Sequence, residues 1–176
     1  MVANMRLGLT LFSLTFLATS ASAAEPDLHT VDHVDLQRYM GRWNVISHTP
    51  NFFEKNKVAT SDNYTMDPDG TIHVVFLFRK DSIANPMKSW KGTGHVVNTT
   101  TNADWKVRMF WPLTAGYHIL ELDPDYQWVV ATTDKGKLIW IMSRSTYLSE
   151  ELYNSIVQKV ASRGLDVGKL EKVQQQ

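Results

Sequence analysis

Six histidines, a Ser-His dipeptide and a large set of aromatic rings (six Trp, six Tyr, seven Phe) are the groups of this 176-residue chain with most chemistry to offer. A nucleophile needs a base within hydrogen-bond reach. Ser47 and His48 are adjacent, and neighbours on an extended strand point to opposite faces, which argues against that pair. His29 and His33 lie near the start of the folded part, and the other four histidines are scattered singly. No HExxH motif and no close pair at ligand spacing on one strand occurs, so neither a metal site nor a cofactor is expected. His48 and His118 could meet near the mouth of a barrel. The chain has no Cys, which excludes disulfides, a Cys nucleophile and thiolate metal sites. Large rings fill cores and also line cavities for apolar ligands.

The bulk properties narrow the function classes. Eighteen basic residues balance eighteen acidic ones, a poor basis for sequence-independent nucleic-acid binding, which needs a surplus of Lys and Arg. The hydrophobic share of 43% and charged share of 20% are those of a folded chain long enough for one sizeable core. Residues 1–23 read as a secretory signal peptide. Arg6 precedes an apolar run from Leu7 to Ala18, and Ala21-Ser22-Ala23 is a small-x-small cleavage site. The expected mature chain is one domain over residues 24–176, exported to a periplasm or secreted. No later stretch is long and apolar enough for a transmembrane helix.

From residue 42 onward the sequence divides into short strands and turns. The spacing predicts strands at Arg42–His48, Val58–Met66, Thr71–Lys80, Met87–Val97, Trp105–Trp111, Gly116–Leu122, Tyr126–Thr133 and Lys137–Ser145. Asp67-Pro68-Asp69-Gly70 has the Pro and Gly of a tight hairpin turn. In the third strand Ile72, Val74, Phe76 and Phe78 share one face. Eight such strands suggest an all-β antiparallel sandwich or barrel, and closure of a barrel removes exposed edges. One helix follows. Ser149 can cap it, Glu150 and Glu151 suit its N-terminal dipole, Leu152, Ile156 and Val160 form its apolar stripe, and Gly164 can stop it. Ile139 and Ile141, on the outer face of the eighth strand, are the expected floor for that stripe.

Three segments of the chain resemble the motifs of the lipocalin family. Val34-Asp35-Leu36-Gln37-Arg38-Tyr39-Met40-Gly41-Arg42-Trp43 is similar to the opening turn and Gly-x-Trp motif. Asp123-Pro124-Asp125-Tyr126 stands where the family turns between its sixth and seventh strands. Leu138 to Arg144 resembles the third motif, which ends in an Arg before the helix. Phe110-Trp111-Pro112 with Gly116-Tyr117 is similar to the bacterial outer-membrane lipocalins and apolipoprotein D. The resemblance implies an eight-stranded up-and-down barrel with the C-terminal α-helix packed outside. It departs at two places. Asn44 replaces the Tyr that usually follows the motif Trp, and Ala23-Ala24 stand where the bacterial relatives carry a lipid-modified Cys. A lipid anchor is therefore not expected.

The resemblance implies that Trp43 and Arg144 close the barrel base, a guanidinium over an indole face. Alternation then assigns the interior. Trp43 inward brings Val45 and Ser47, and Arg144 inward brings Met142, Trp140 and Leu138. Arg79 outward puts Phe76 and Phe78 inside, and Arg108 outward puts Val107, Met109 and Trp111 inside. Glu121 outward puts His118 and Leu120 inside, and Gln127 outward puts Trp128 and Val130 inside. Singly, each of these residues suits a filled core. As a set, with the resemblance, they imply a cavity.

The expected function is non-enzymatic carriage of a small hydrophobic ligand, which the resemblance implies is a fatty acid or lysophospholipid. Its head would sit near mouth-loop lysines such as Lys55 and Lys57, and transient membrane contact is compatible with such a carrier. Two other readings stay open: a lipocalin-fold enzyme acting on a lipid-like substrate, and a haem or tetrapyrrole binder using a His such as His118.

Overall fold

The computed structural model describes residues 25–110 and 112–176; the expected leader over residues 1–23 and the Trp111 side chain lie outside the described residues. Eight strands run β1 Gly41–His48, β2 Lys57–Met66, β3 Ile72–Lys80, β4 Met87–Val96, β5 Asp104–Phe110, β6 Leu113–Leu122, β7 Trp128–Thr132 and β8 Ile139–Ser143. Each pairs antiparallel with its neighbour in sequence, and β1 pairs with both β8 and β2. The result is the expected closed up-and-down barrel.

A short helix, α1 at Leu36–Tyr39, crosses one end, and Asp35 caps it by accepting from the Gln37 and Arg38 amides. The outer helix α2 spans Glu150–Ser162, with Ser149 accepting from the Leu152 amide as its N-cap. Its buried residues Tyr153, Ile156 and Val160 pack on Ile139 and Ile141, the expected floor, and also on Ile46, Leu120 and Val130. Gly164 takes φ +78° just beyond the helix, a conformation other residues enter at a cost.

A ninth strand was not foreseen. β9, Glu171–Lys172, pairs with Ser47 and His48 of β1. The chain after it lies along the seam where β1 and β2 have diverged. The Ala59 amide donates to the Gln174 carbonyl at 2.7 Å. The Gln175 side-chain amide donates to the carbonyls of Val45 at 2.6 Å and Thr60 at 3.0 Å. The polar tail thus gives that part of the seam partners for backbone groups the ladder leaves free.

Bulges reset the side-chain phase and overturn several expected orientations. In β1 the register shifts between Val45 and Ser47. Trp43 and Val45 face inward, as expected, but Ser47 pairs with outward Ile141, and His48 pairs with inward Trp140. In β6 the shift falls between Ile119 and Glu121. Tyr117 and Ile119 enter the core, while Leu120 and Glu121 both face out. Leu120 packs beneath α2, and Arg163 donates to its carbonyl at 3.1 Å and to Glu121 at 2.8 Å. His118 is likewise outside. In β7 alternation from Gln127 does not hold, because Gln127 lies in the turn before the strand. Val129 and Ala131 are the inward residues; Trp128 and Val130 lie on the helix side.

Candidate functional site

The two ends of the barrel differ. At the α1 end the interior is solid. Tyr39, Trp43, Tyr64, Trp105 and Tyr117 pack ring on ring, with centroids 5.2–6.2 Å apart. The Tyr39 and Tyr117 hydroxyls are 2.7 Å apart, and the Tyr64 hydroxyl donates to Tyr117 at 3.4 Å. These phenols therefore satisfy one another away from water. Their burial pushes the titration of all three well above the ordinary tyrosine range.

Trp43 and Arg144 lock this end. The Trp43 indole donates to the Tyr39 carbonyl at 2.8 Å, and the Arg144 guanidinium carbon lies 3.7 Å from the Trp43 ring centre. Gly41 has φ +93°, and a Cβ there would stand 3.4 Å from the Arg144 guanidinium. Glycine in the Gly-x-Trp motif thus admits both the backbone turn and the arginine. Asn44 also serves this corner, its amide donating to the Ser143 and Arg144 carbonyls at 3.3 and 2.9 Å.

The other half of the barrel holds a cavity of about 250 Å³. Its apolar wall comes from Val74 and Phe76 of β3, Trp90 of β4, Val107, Met109 and Phe110 of β5, and Leu138 and Trp140 beside and on β8. Its floor is formed by Tyr64 and Tyr117. Gly92 explains how Met109 reaches the lumen, since a Cβ there would come within 2.5 Å of the Met109 sulfur and 2.7 Å of the Arg108 carbonyl. At the rim Phe53 stacks on Phe110 with centroids 5.4 Å apart.

The expected site residues divide accordingly. Phe76, Val107, Met109 and Trp140 line the cavity. Phe78 faces inward but packs on Phe76 and Trp90, with the Lys57 ammonium 4.9 Å from its ring. Val45 and Met142 belong to the solid core. His118, Leu120 and Trp128 are outside the barrel. The two His118 ring nitrogens lie 2.7 Å from Asp104 and 3.0 Å from Asp134, so the ring is not available as an axial ligand inside the cavity. Nor does it meet His48, which lies on the inner side.

Sequence reasoning missed Trp90, Tyr64, Tyr117, Asp62 and Glu54. Alternation from Tyr64 would have found Asp62, because both stand on the inner face of β2. No strand periodicity could have found Glu54, which the loop between β1 and β2 folds into the barrel mouth. Asp62 is partly buried and lines the cavity. Loss of hydration there, reinforced by the charge of Glu54, raises its carboxyl from 3.8 to about 7.

Comparison with known proteins agrees with this architecture. The lipocalin-like domain family matches residues 34–175. Temperature-induced lipocalin-1 of Arabidopsis thaliana is 33% identical over 159 residues, covering 85% of this chain and 83% of that protein. Outer membrane lipoprotein Blc of Escherichia coli (strain K12) is 27% identical over 166 residues, covering 91% of each. Among solved structures, insecticyanin from the tobacco hornworm Manduca sexta superposes with a TM-score of 0.66 at 18% identity, covering 87% of each chain. That last likeness is one of fold. With its Gly-x-Trp motif, its Arg144–Trp43 base and a family match over almost all the described residues, the chain belongs to the lipocalin family, whose members hold small hydrophobic ligands.

Proposed function

We propose that this protein is an exported, non-enzymatic carrier that holds a single-chain lipid, a fatty acid or a lysophospholipid, in its barrel. The observation that carries the reading is the cavity itself: an apolar pocket closed below by packed aromatic rings and open at the end that carries the β1–β2 loop. Burial of an acyl chain there gains about 0.8 kcal/mol per CH₂. A carrier must also collect and release its cargo. Phe52 and Leu113, 86% and 61% exposed at the rim, would favour transient contact with a lipid surface. No helix among the described residues is long and apolar enough to cross a membrane.

An enzymatic reading lacks its central pair. Ser47 and His48 face opposite sides of β1, and His48 Nδ1 lies 3.0 Å from the Thr49 carbonyl. Native mass spectrometry of the freshly purified protein tests the carrier reading. A co-purifying single-chain lipid at about one per chain supports it. A bound tetrapyrrole with its Soret band would replace it. The same spectra read the N-terminus: export predicts a chain starting at Ala24 with no acyl mass added, and a retained leader contradicts export.

A further inference from the structure

The apolar cavity contains two acids that an acyl chain has no use for. The Glu54 side chain is 9% exposed and lines the cavity. Its Oε1 accepts from the Trp140 indole at 2.8 Å and from the Asn51 amide at 3.1 Å. The Asn51 side-chain oxygen in turn accepts the Glu54 amide at 3.0 Å. These contacts hold the carboxylate in one orientation and leave Oε2 buried without a hydrogen bond among the described residues. His48 Nδ1 is 3.8 Å from Oε2, beyond hydrogen-bond distance, and closer to the Thr49 carbonyl. Lys57 reaches the same region, but its ammonium lies over the Trp90 and Phe78 rings, 4.5 and 4.9 Å from their centres. Asp62 supplies the second carboxyl, on the cavity wall.

A buried carboxylate oxygen with no partner is costly, and an incoming donor or cation would remove that cost. A ligand carboxylate at the same depth would instead meet the like charge of Glu54, joined above about pH 7 by that of Asp62. The surrounding rings of Phe53, Tyr64, Trp90 and Trp140 offer π faces, which favour cations and disfavour anions. Resting on the carrier reading above, the geometry points to a ligand whose buried polar end is cationic, an ammonium or quaternary ammonium on an apolar body, with Glu54 and Asp62 as its counter-charges. Of the two lipid classes proposed, a fatty acid has no such group, whereas a lysophospholipid with a choline or ethanolamine head does.

The test holds chain length constant and changes only the head. Delipidated protein is titrated, by Trp fluorescence at mildly alkaline pH and below micelle concentrations, with decyltrimethylammonium, decanol and decanoate. The ammonium should bind about tenfold or more tighter than decanoate, with decanol between them. Glu54→Gln and Asp62→Asn should each shrink that preference to about threefold or less. Circular dichroism confirms that each variant is folded. Asp62→Asn removes a destabilising burial, so it reports even if Glu54→Gln fails to fold. Equal or tighter binding of decanoate, or an unchanged preference in the folded variants, overturns the assignment while the carrier reading stands. If none of the three binds, the carrier reading fails and this inference falls with it.

Discussion

Arg144 sets its guanidinium 3.7 Å from the centre of the Trp43 ring while donating to the carbonyls of Arg42 at 2.9 Å, Arg38 at 2.6 Å, Tyr39 at 3.1 Å and Tyr126 at 3.3 Å. One side chain therefore joins β1, the α1 segment and the turn before β7 across the closed end. Arg144→Ala removes the ring contact and leaves those carbonyls to find other donors. A loss of at least about 2 kcal/mol is expected. Arg108→Ala, on an exposed outward position, should stay within about 0.5 kcal/mol. Urea titration of both variants checks the contrast, and equal midpoints would remove Arg144 from the role of clasp.

Asp62 makes stability depend on pH in the direction opposite to most carboxylates. Between its ordinary 3.8 and about 7 the folded chain keeps a proton that the unfolded chain has released. The unfolded state then binds fewer protons, so stability falls as pH rises through that window and levels above it. Glu54, Tyr39, Tyr64 and Tyr117 are the titratable groups that interact with it. Of these, Glu54 strengthens the shift while ionised, and the three phenols stay neutral throughout. Asp62→Asn should flatten the contribution, giving urea midpoints that change less than wild type across the window. A wild-type profile that rises there, matched by the variant, would contradict this account of the cavity.

Gln175 is expected to matter far more than its place in a polar tail suggests. Its side chain bridges the Val45 and Thr60 carbonyls across the β1–β2 seam. Gln175→Ala should cost about 1–2 kcal/mol, for two partly buried hydrogen bonds. Gln176→Ala, which loses one exposed contact to Thr146, should cost almost nothing. Hydrogen exchange is the sharper readout, with faster exchange at the Ala59 amide in the Gln175 variant alone.

The parts of this molecule legible in the sequence are those that local patterning controls. Ile72, Val74, Phe76 and Phe78 alternate without interruption, and β3 faces as they dictate. Ser149, the apolar stripe and Gly164 bound α2 because caps and periodicity act within a few residues. Orientation fails where an extra residue enters a strand. The bulge after Ile119 sends Leu120 outward, and the one after Val45 exchanges the faces of Ser47 and His48. Strand alternation carries no signal of such an insertion, because the register is set by the partner strand. Glu54 and Gln175 were illegible for a different reason. One is carried by a loop and the other by a tail, and only tertiary closure brings them to the barrel.

The central claim is that the cavity lined by Phe76, Met109 and Trp140 takes up the apolar chain of the ligand. It is tested most directly by titrating delipidated protein with lysophospholipids that differ only in acyl length, read by Trp fluorescence. The account predicts one site per chain and affinity that rises with length by up to about 0.8 kcal/mol per added CH₂ until the cavity is filled. It also predicts that Met109→Arg, shown by circular dichroism to be folded, loses binding, because the larger charged side chain takes up apolar volume that the acyl chain needs. Affinity that ignores chain length, or a folded Met109→Arg protein that binds as wild type does, would contradict it.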